Sequence, residues 1–160
     1  MAVFLSNFVN RLDKKGRVSV PASFRAALGV EASGIIVFRS LHHEALDACA
    51  PAHLELLSRS IDNLDLAPEE YELIETTIFG GAQHLPFDGE GRISLPDTLA
   101  ANVGIDDQIV FVGRRKTFQL WEPAKFAAHE QAMRSTAKAR DISLSKIIAQ
   151  ATSKAGEDRR

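Results

Sequence analysis

Asp13-Lys-Lys-Gly-Arg-Val-Ser-Val-Pro21 and Asp88-Gly-Glu-Gly-Arg-Ile-Ser-Leu-Pro96 are one phrase written twice, 75 residues apart (88 − 13 = 75). The offset carries outward without a gap. Phe24 falls on Leu99, Ala26 on Ala101, Leu28 on Val103, Gly29 on Gly104, and Ile35-Ile36-Val37 on Val110-Phe111-Val112. So many identical and conservative matches at one spacing mark an internal duplication, with copies over residues 5–50 and 80–125. Each copy reads the same way. A first strand (8–12 or 83–87) enters a tight turn at Gly16 or Gly91, where glycine permits positive φ. A period-two strand follows, with Val18 and Val20 on one face and Arg17 and Ser19 on the other; Ile93, Leu95, Arg92 and Ser94 repeat it. Pro21 or Pro96 suits the first turn of a short helix, and Gly29 or Gly104 ends it. A β-branched strand (35–38 or 109–112) and a last strand (44–47 or 117–122) complete each copy.

Between the copies, residues 51–79 turn helical. Leu54, Leu57 and Ile61 stand at helical spacing. After Pro68 a second helix runs to residue 79, with acids in its first turn, an apolar stripe of Tyr71, Leu73, Ile74 and Ile78, and Gly80-Gly81 as its stop. Pro123 opens a further helix. The end of the chain (126–160) reads as that helix followed by a loose amphipathic helix or frayed tail around Ile142, Ile147 and Ile148.

The composition is that of an ordinary soluble protein: 160 residues, 45% hydrophobic and 25% charged. No apolar run approaches the roughly 18 residues of a membrane span, and MAVFLSNFVNR has neither the basic nor the apolar region of a secretion signal. Cys49 is the single cysteine, so a reducing cytoplasm is the expected setting. A net charge of −2 argues against a protein that coats nucleic acid by bulk charge. Charge is unevenly placed, however. Arg11, Lys14, Lys15 and Arg17 stand against Asp13 alone, +3 within seven residues of an otherwise acidic half.

That patch is the candidate site. A guanidinium is a planar fork suited to guanine O6 and N7 or to phosphate oxygens. Alternation turns Arg17 away from the core, and Lys14 and Lys15 occupy the turn, where they reach phosphates. Arg11 and Arg25 flank the patch. Asp13 and Asp88, with Gly16 and Gly91, are assigned to building the turns, since a carboxylate is repelled by phosphate. Two readings of the motif stay open at this point: a DNA-contacting loop, or a hairpin in which Arg17 merely pairs with Asp13. The second copy, Asp88-Gly89-Glu90-Gly91-Arg92, lacks the lysines. Arg92 is its one candidate contact, and packing between subunits is the alternative. Arg114-Arg115-Lys116 reads as a solvated turn. His42, His43, Cys49 and His53 lack the spacing of a metal site. Neither a phosphate-binding loop nor a nucleophile elbow is present, and the chain is not read as an enzyme; no cofactor or metal is expected.

The paired Asp-x-x-x-Arg motifs, the extended phrase from Leu12 to Arg25, and Ile78-Phe-Gly-Gly-Ala82 before the second motif resemble the MraZ family over residues 3–135. The resemblance implies a mixed α+β, β-rich fold: tandem AbrB-like swapped-hairpin modules forming one pseudo-symmetric barrel, with flanking helices. It also implies a cytoplasmic, nucleoid-associated transcriptional regulator, often a repressor. Such proteins assemble as closed homo-oligomeric rings and bind tandem short repeats in the promoter of the division and cell-wall gene cluster, their own gene included. An oligomeric, antitoxin-like protein-interaction module is the alternative. That alternative would show one module and a long acidic tail, whereas the tail here is basic.

Overall fold

The two phrases meet face to face. A computed structural model describes residues 3–160, with the first segment giving strands β1 (Asn7–Arg11) and β2 (Arg17–Ser19), helix α1 (Ala22–Leu28), and strands β3 (Gly34–Arg39) and β4 (Leu46–Cys49). Helices α2 (Pro51–Asp62) and α3 (Pro68–Ile74) lead to a π-helical turn, Glu75–Phe79. Strands β5 (Gln83–Pro86) and β6 (Arg92–Ser94), helix α4 (Asp97–Asn102), and strands β7 (Gln108–Arg114) and β8 (Thr117–Trp121) follow, then helices α5 (Pro123–Ala139) and α6 (Leu144–Glu157). The result is a mixed α and β protein, with a six-stranded antiparallel sheet, a two-stranded ribbon and several helices.

The strands are exchanged between segments. The six-stranded sheet runs β1-β7-β8-β4-β3-β5, and β2 pairs with β6 in a separate ribbon. Thus β1 of the first segment lies on β7 of the second, β5 of the second lies on β3 of the first, and β4 pairs with β8. Two of these pairings meet at matched residues: Val18 opposite Ile93 in the ribbon, and Asp47 opposite Gln119 in the sheet.

The registers correct the ungapped 75-residue offset. Leu12 N–H donates to the Asp107 carbonyl and Phe87 N–H to that of Ser33. Leu12 and Phe87 differ by 75, but Ser33 and Asp107 differ by 74 (107 − 33 = 74). Ile35 and Val37 therefore correspond to Ile109 and Phe111, and these four are the fully enclosed apolar side chains of β3 and β7. A one-residue slip would place Phe111 on the wrong face of the strand. A longer β3–β4 tip shifts the match again. Cys49 pairs with Ile36, and Trp121 with Val110, so Trp121 corresponds to Cys49 rather than to Leu46, the residue that an ungapped offset of 75 (121 − 75 = 46) assigns to it. Trp121 is buried, and its indole N–H donates to Gln119 Oε1.

The barrel that the resemblance implies is not found as a closed structure among the described residues. β1 and β5 are the margins of an open sheet. β2 and β6 stop after three residues because Pro21 and Pro96 follow almost at once and have no N–H to extend a ladder. Asn10 Nδ2, donating to the Ser19 carbonyl at 2.7 Å, links the ribbon to β1.

The core lies between ribbon and sheet. Val18 and Ile93, each 1% exposed, point inward, and Phe24 of α1 is fully enclosed. Its ring meets those of Phe4, Phe8, Phe111 and Phe118 at centroid distances from 5.1 to 6.4 Å. The helix expected to end at residue 79 widens after Ile74. Gly80 N–H bonds back to the Glu75 carbonyl, and the Thr77 hydroxyl donates to the Leu73 carbonyl at 2.6 Å. Contacts divide the chain after Lys125. In the second unit, the segment read as a loose or frayed end is the 14-residue helix α6, capped by Ser143, whose Oγ accepts from Lys146 N–H. Among the described residues, no helix is long and apolar enough to cross a membrane.

Candidate nucleic-acid interface

Each duplicated turn is built on its aspartate. Asp13 Oδ1 accepts the backbone N–H of Lys15 and of Arg17, both at 2.9 Å, and Gly16 N–H closes the turn on the Asp13 carbonyl. Asp88 does the same for Glu90 (2.9 Å), Arg92 (3.0 Å) and Gly91. Both glycines sit at positive φ, 76° and 75°, a region that penalises any residue with a Cβ. The second carboxylate oxygen holds the arginine. Arg17 Nε meets Asp13 Oδ2 at 2.6 Å, and Arg92 Nε meets Asp88 Oδ2 at 2.8 Å.

This pairing does not use up the guanidinium. Asp13 takes Nε, and among the described residues Nη1 and Nη2 of Arg17 have no partner. The two-nitrogen edge suited to a phosphate or a guanine remains available, while the Nε bond limits the rotation of the side chain. Arg92 is similar, with Glu90 at 3.7 Å from one Nη. The backbone N–H of Arg17 is the largest cause holding the Asp13 carboxyl below its ordinary 3.8. Desolvation opposes it, and the Arg17 side chain and Lys15 N–H add to it. Asp88 is lowered in the same way, first by the Arg92 N–H. The hydrogen bond that Arg92 donates to Asp88 is the main cause that raises Arg92, and the charge of Asp13 in the other turn contributes.

Strand pairing puts both arginines on one face. Arg17 lies opposite Ser94 and Arg92 opposite Ser19, so the ribbon shows two arginines on a diagonal and two exposed serines, with Val18 and Ile93 beneath. Lys14 and Lys15 are exposed at the tip of the first turn, and Arg11 is exposed at the end of β1; none of the three is in an ion pair among the described residues. The structure thus gathers Lys14, Lys15, Arg17 and Arg92 around one ribbon.

Arg25 falls in a different place from the one its position in the chain suggests. It does not flank the first turn. Its Nε donates to the Val20 carbonyl at 3.2 Å, and its guanidinium lies across Gly91 of the second turn. The strand exchange moves it there, and periodicity carries no signal of that exchange. Beside the first turn lies instead a cleft lined by Asp97, Ala100, Asp106 and Asp107.

The other tempting cluster is not built for metal. Among the described residues no three His, Cys, Asp or Glu side chains are placed to hold an ion. Burial, with the nearby Asp47 charge, pushes the Cys49 thiol up to about 11, far from a reactive thiolate. Arg114 ends β7 and Lys116 precedes β8, so the Arg114-Arg115-Lys116 run forms a two-residue hairpin tip with Arg115 at φ 68°.

The family model described as "MraZ protein, putative antitoxin-like" matches residues 78–145. The chain is 49% identical over 128 residues to a protein of Rickettsia bellii (strain OSU 85-389) named transcriptional regulator MraZ, covering 79% of this chain and 85% of that one. The protein of the same name from Rickettsia rickettsii (strain Sheila Smith) is 43% identical over 145 residues, 90% of this chain and 97% of the relative. That from Rickettsia akari (strain Hartford) is 46% identical over 130 residues, 81% and 87%.

Proposed function

Because the chain belongs to the MraZ family, we propose that it is a sequence-specific DNA-binding transcriptional regulator whose grip on DNA is the outer face of the β2–β6 ribbon and the turns that feed it. Arg17 reads a base edge or a phosphate, Lys14 and Lys15 hold phosphates, and Arg11 and Arg92 add contacts at the margins. Asp13, Gly16, Asp88 and Gly91 build the turns. The observation that carries the proposal is the tethered Arg17. An ion pair made only to close a hairpin has no need to leave the Nη edge open on an exposed face.

A single loop with a few cations binds weakly at physiological salt, since contacts to phosphate are lost to screening. We place the chain in a closed homo-oligomeric ring on tandem short promoter repeats, which makes later contacts intramolecular and raises avidity by about 10² to 10⁴. The strand exchange supports reading residues 5–50 and 80–125 as paired AbrB-like swapped-hairpin modules, with 51–79 as a helical linker and 126–160 as an appendage. The target is the division and cell-wall gene cluster, the chain's own gene included, and the setting is the cytoplasm at the nucleoid. The antitoxin-like wording of the matched model favours one other reading, a module that neutralises a protein partner.

A fluorescence-anisotropy titration with duplex from the chain's own upstream region tests the proposal. Arg17→Ala is expected to abolish preference for that duplex over scrambled sequence while melting temperature and assembly mass hold. Lys14→Ala is expected to weaken binding to both duplexes and to lower the salt slope by about 1. Folding loss in Arg17→Ala points to the hairpin-only role. Absence of any DNA preference in the unaltered chain favours the protein-partner reading.

A further inference from the structure

The two turns are unequal in charge but symmetrical in backbone. The first carries Lys14, Lys15 and Arg17 against Asp13; the second carries Arg92 against Asp88 and Glu90. Taken alone, the second turn repels phosphate. Its neighbour changes that. Were a Cβ present on Gly91, it would stand 2.7 Å from Arg25 Nη1, 2.8 Å from Cζ and 3.0 Å from Nε, so the guanidinium packs directly against the turn, at a glycine that its positive φ of 75° already requires. Arg25 is exposed and in no ion pair among the described residues. Its Nε is tied to the Val20 carbonyl at 3.2 Å, and Val20 N–H in turn donates to the Gly91 carbonyl.

Arg25 is therefore held as Arg17 and Arg92 are, with Nε bound to an oxygen of the scaffold, and its Nη groups have no hydrogen-bond partner among the described residues. The residue matching it 75 positions on is Ala100, which lies beside the first turn. Charge is shared out accordingly. At the position of Arg25 the turn with its own lysines has alanine, with Asp97, Asp106 and Asp107 alongside, and the turn without lysines has arginine.

We infer that Arg25 is a third arginine of the DNA-contacting face, supplied by α1 to the second turn, where it grips phosphate and makes that turn a binding element. The inference rests on the proposed DNA-binding function. It makes the second turn composite, with Arg92 from its own segment and Arg25 from the other.

The test uses the full chain, with salt-dependent anisotropy on the upstream duplex. Arg25→Gln retains a donor for the Val20 carbonyl and removes the charge. It is expected to weaken binding about tenfold and to lower the salt slope by about 1, with melting temperature and assembly mass unchanged. Arg25→Lys is expected to restore the slope. An unchanged Kd and slope in Arg25→Gln, or a loss of binding matched by a loss of folding or assembly in both variants, overturns the inference. Arg17→Ala run alongside separates the two claims. If it abolishes preference for the upstream duplex while Arg25→Gln leaves Kd and slope unchanged, Arg25 alone is misassigned. If neither alters binding, or the unaltered chain does not bind, the DNA-binding face fails as well.

Discussion

At the scale of single residues, the carboxylate of Asp13 does two jobs that are usually divided. One oxygen collects backbone N–H groups and fixes the turn; the other fixes the arginine. The pH dependence follows. A carboxyl whose folded-state value lies below its ordinary 3.8 contributes stability that is fully present above 3.8 and is lost as pH falls through the folded value. Asp13→Asn is therefore expected to be less stable than the parent at neutral pH and to converge with it in acid. Urea midpoints measured for both from pH 7 downward check this. A gap that persists undiminished into strong acid would show that the Asp13 charge is not what holds the turn. The spacing of Asp13 to Arg17 was legible in the sequence, as was the outward aim of Arg17. Whether the two pair, and through which nitrogen, was not, because rotamers within a turn are set by local atomic distances.

Among the elements, α1 is short but central. Seven residues do not make a stable helix alone. It persists because Phe24 is buried among four other aromatic rings, two of them from β7 and β8 of the other segment. Phe24→Ala is expected to cost about 3–5 kcal/mol through lost burial and the cavity left behind, measured by chemical denaturation. A cost under about 1 kcal/mol would mean the helix is not keyed into the core. Strand identities were readable from alternation. Their registers were not, since the ungapped offset misplaced β7 by one residue and β8 by more. Loop lengths drift between copies at little energetic cost, whereas the buried face of a strand cannot slip. The π-helical turn at Glu75–Phe79 also lay outside periodicity, because widening one turn of the hydrogen-bond ladder leaves no mark in the apolar spacing.

For the molecule as a whole, exchange of strands means that neither segment owns a complete sheet. β1 finds its partner only in β7, β2 in β6, and β4 needs β8 as well as β3. Residues 1–79 produced alone are expected not to fold as a monomer: they either pair with a second copy, restoring the exchange, or stay unfolded. Circular dichroism with light-scattering mass distinguishes these outcomes, and a folded monomer would contradict the account of the core. The sequence by itself determined that one phrase occurs twice, which residues turn inward on each ribbon strand, where the cationic turn lies, and which family the motifs resemble. These are local matters of spacing, alternation and turn chemistry. Only the tertiary structure decided which strands pair, that the sheet stays open, and that Arg25 packs against the turn of the opposite segment. Those depend on contacts between residues far apart in the chain, fixed by which buried faces fit together, and no period in the sequence encodes that fit.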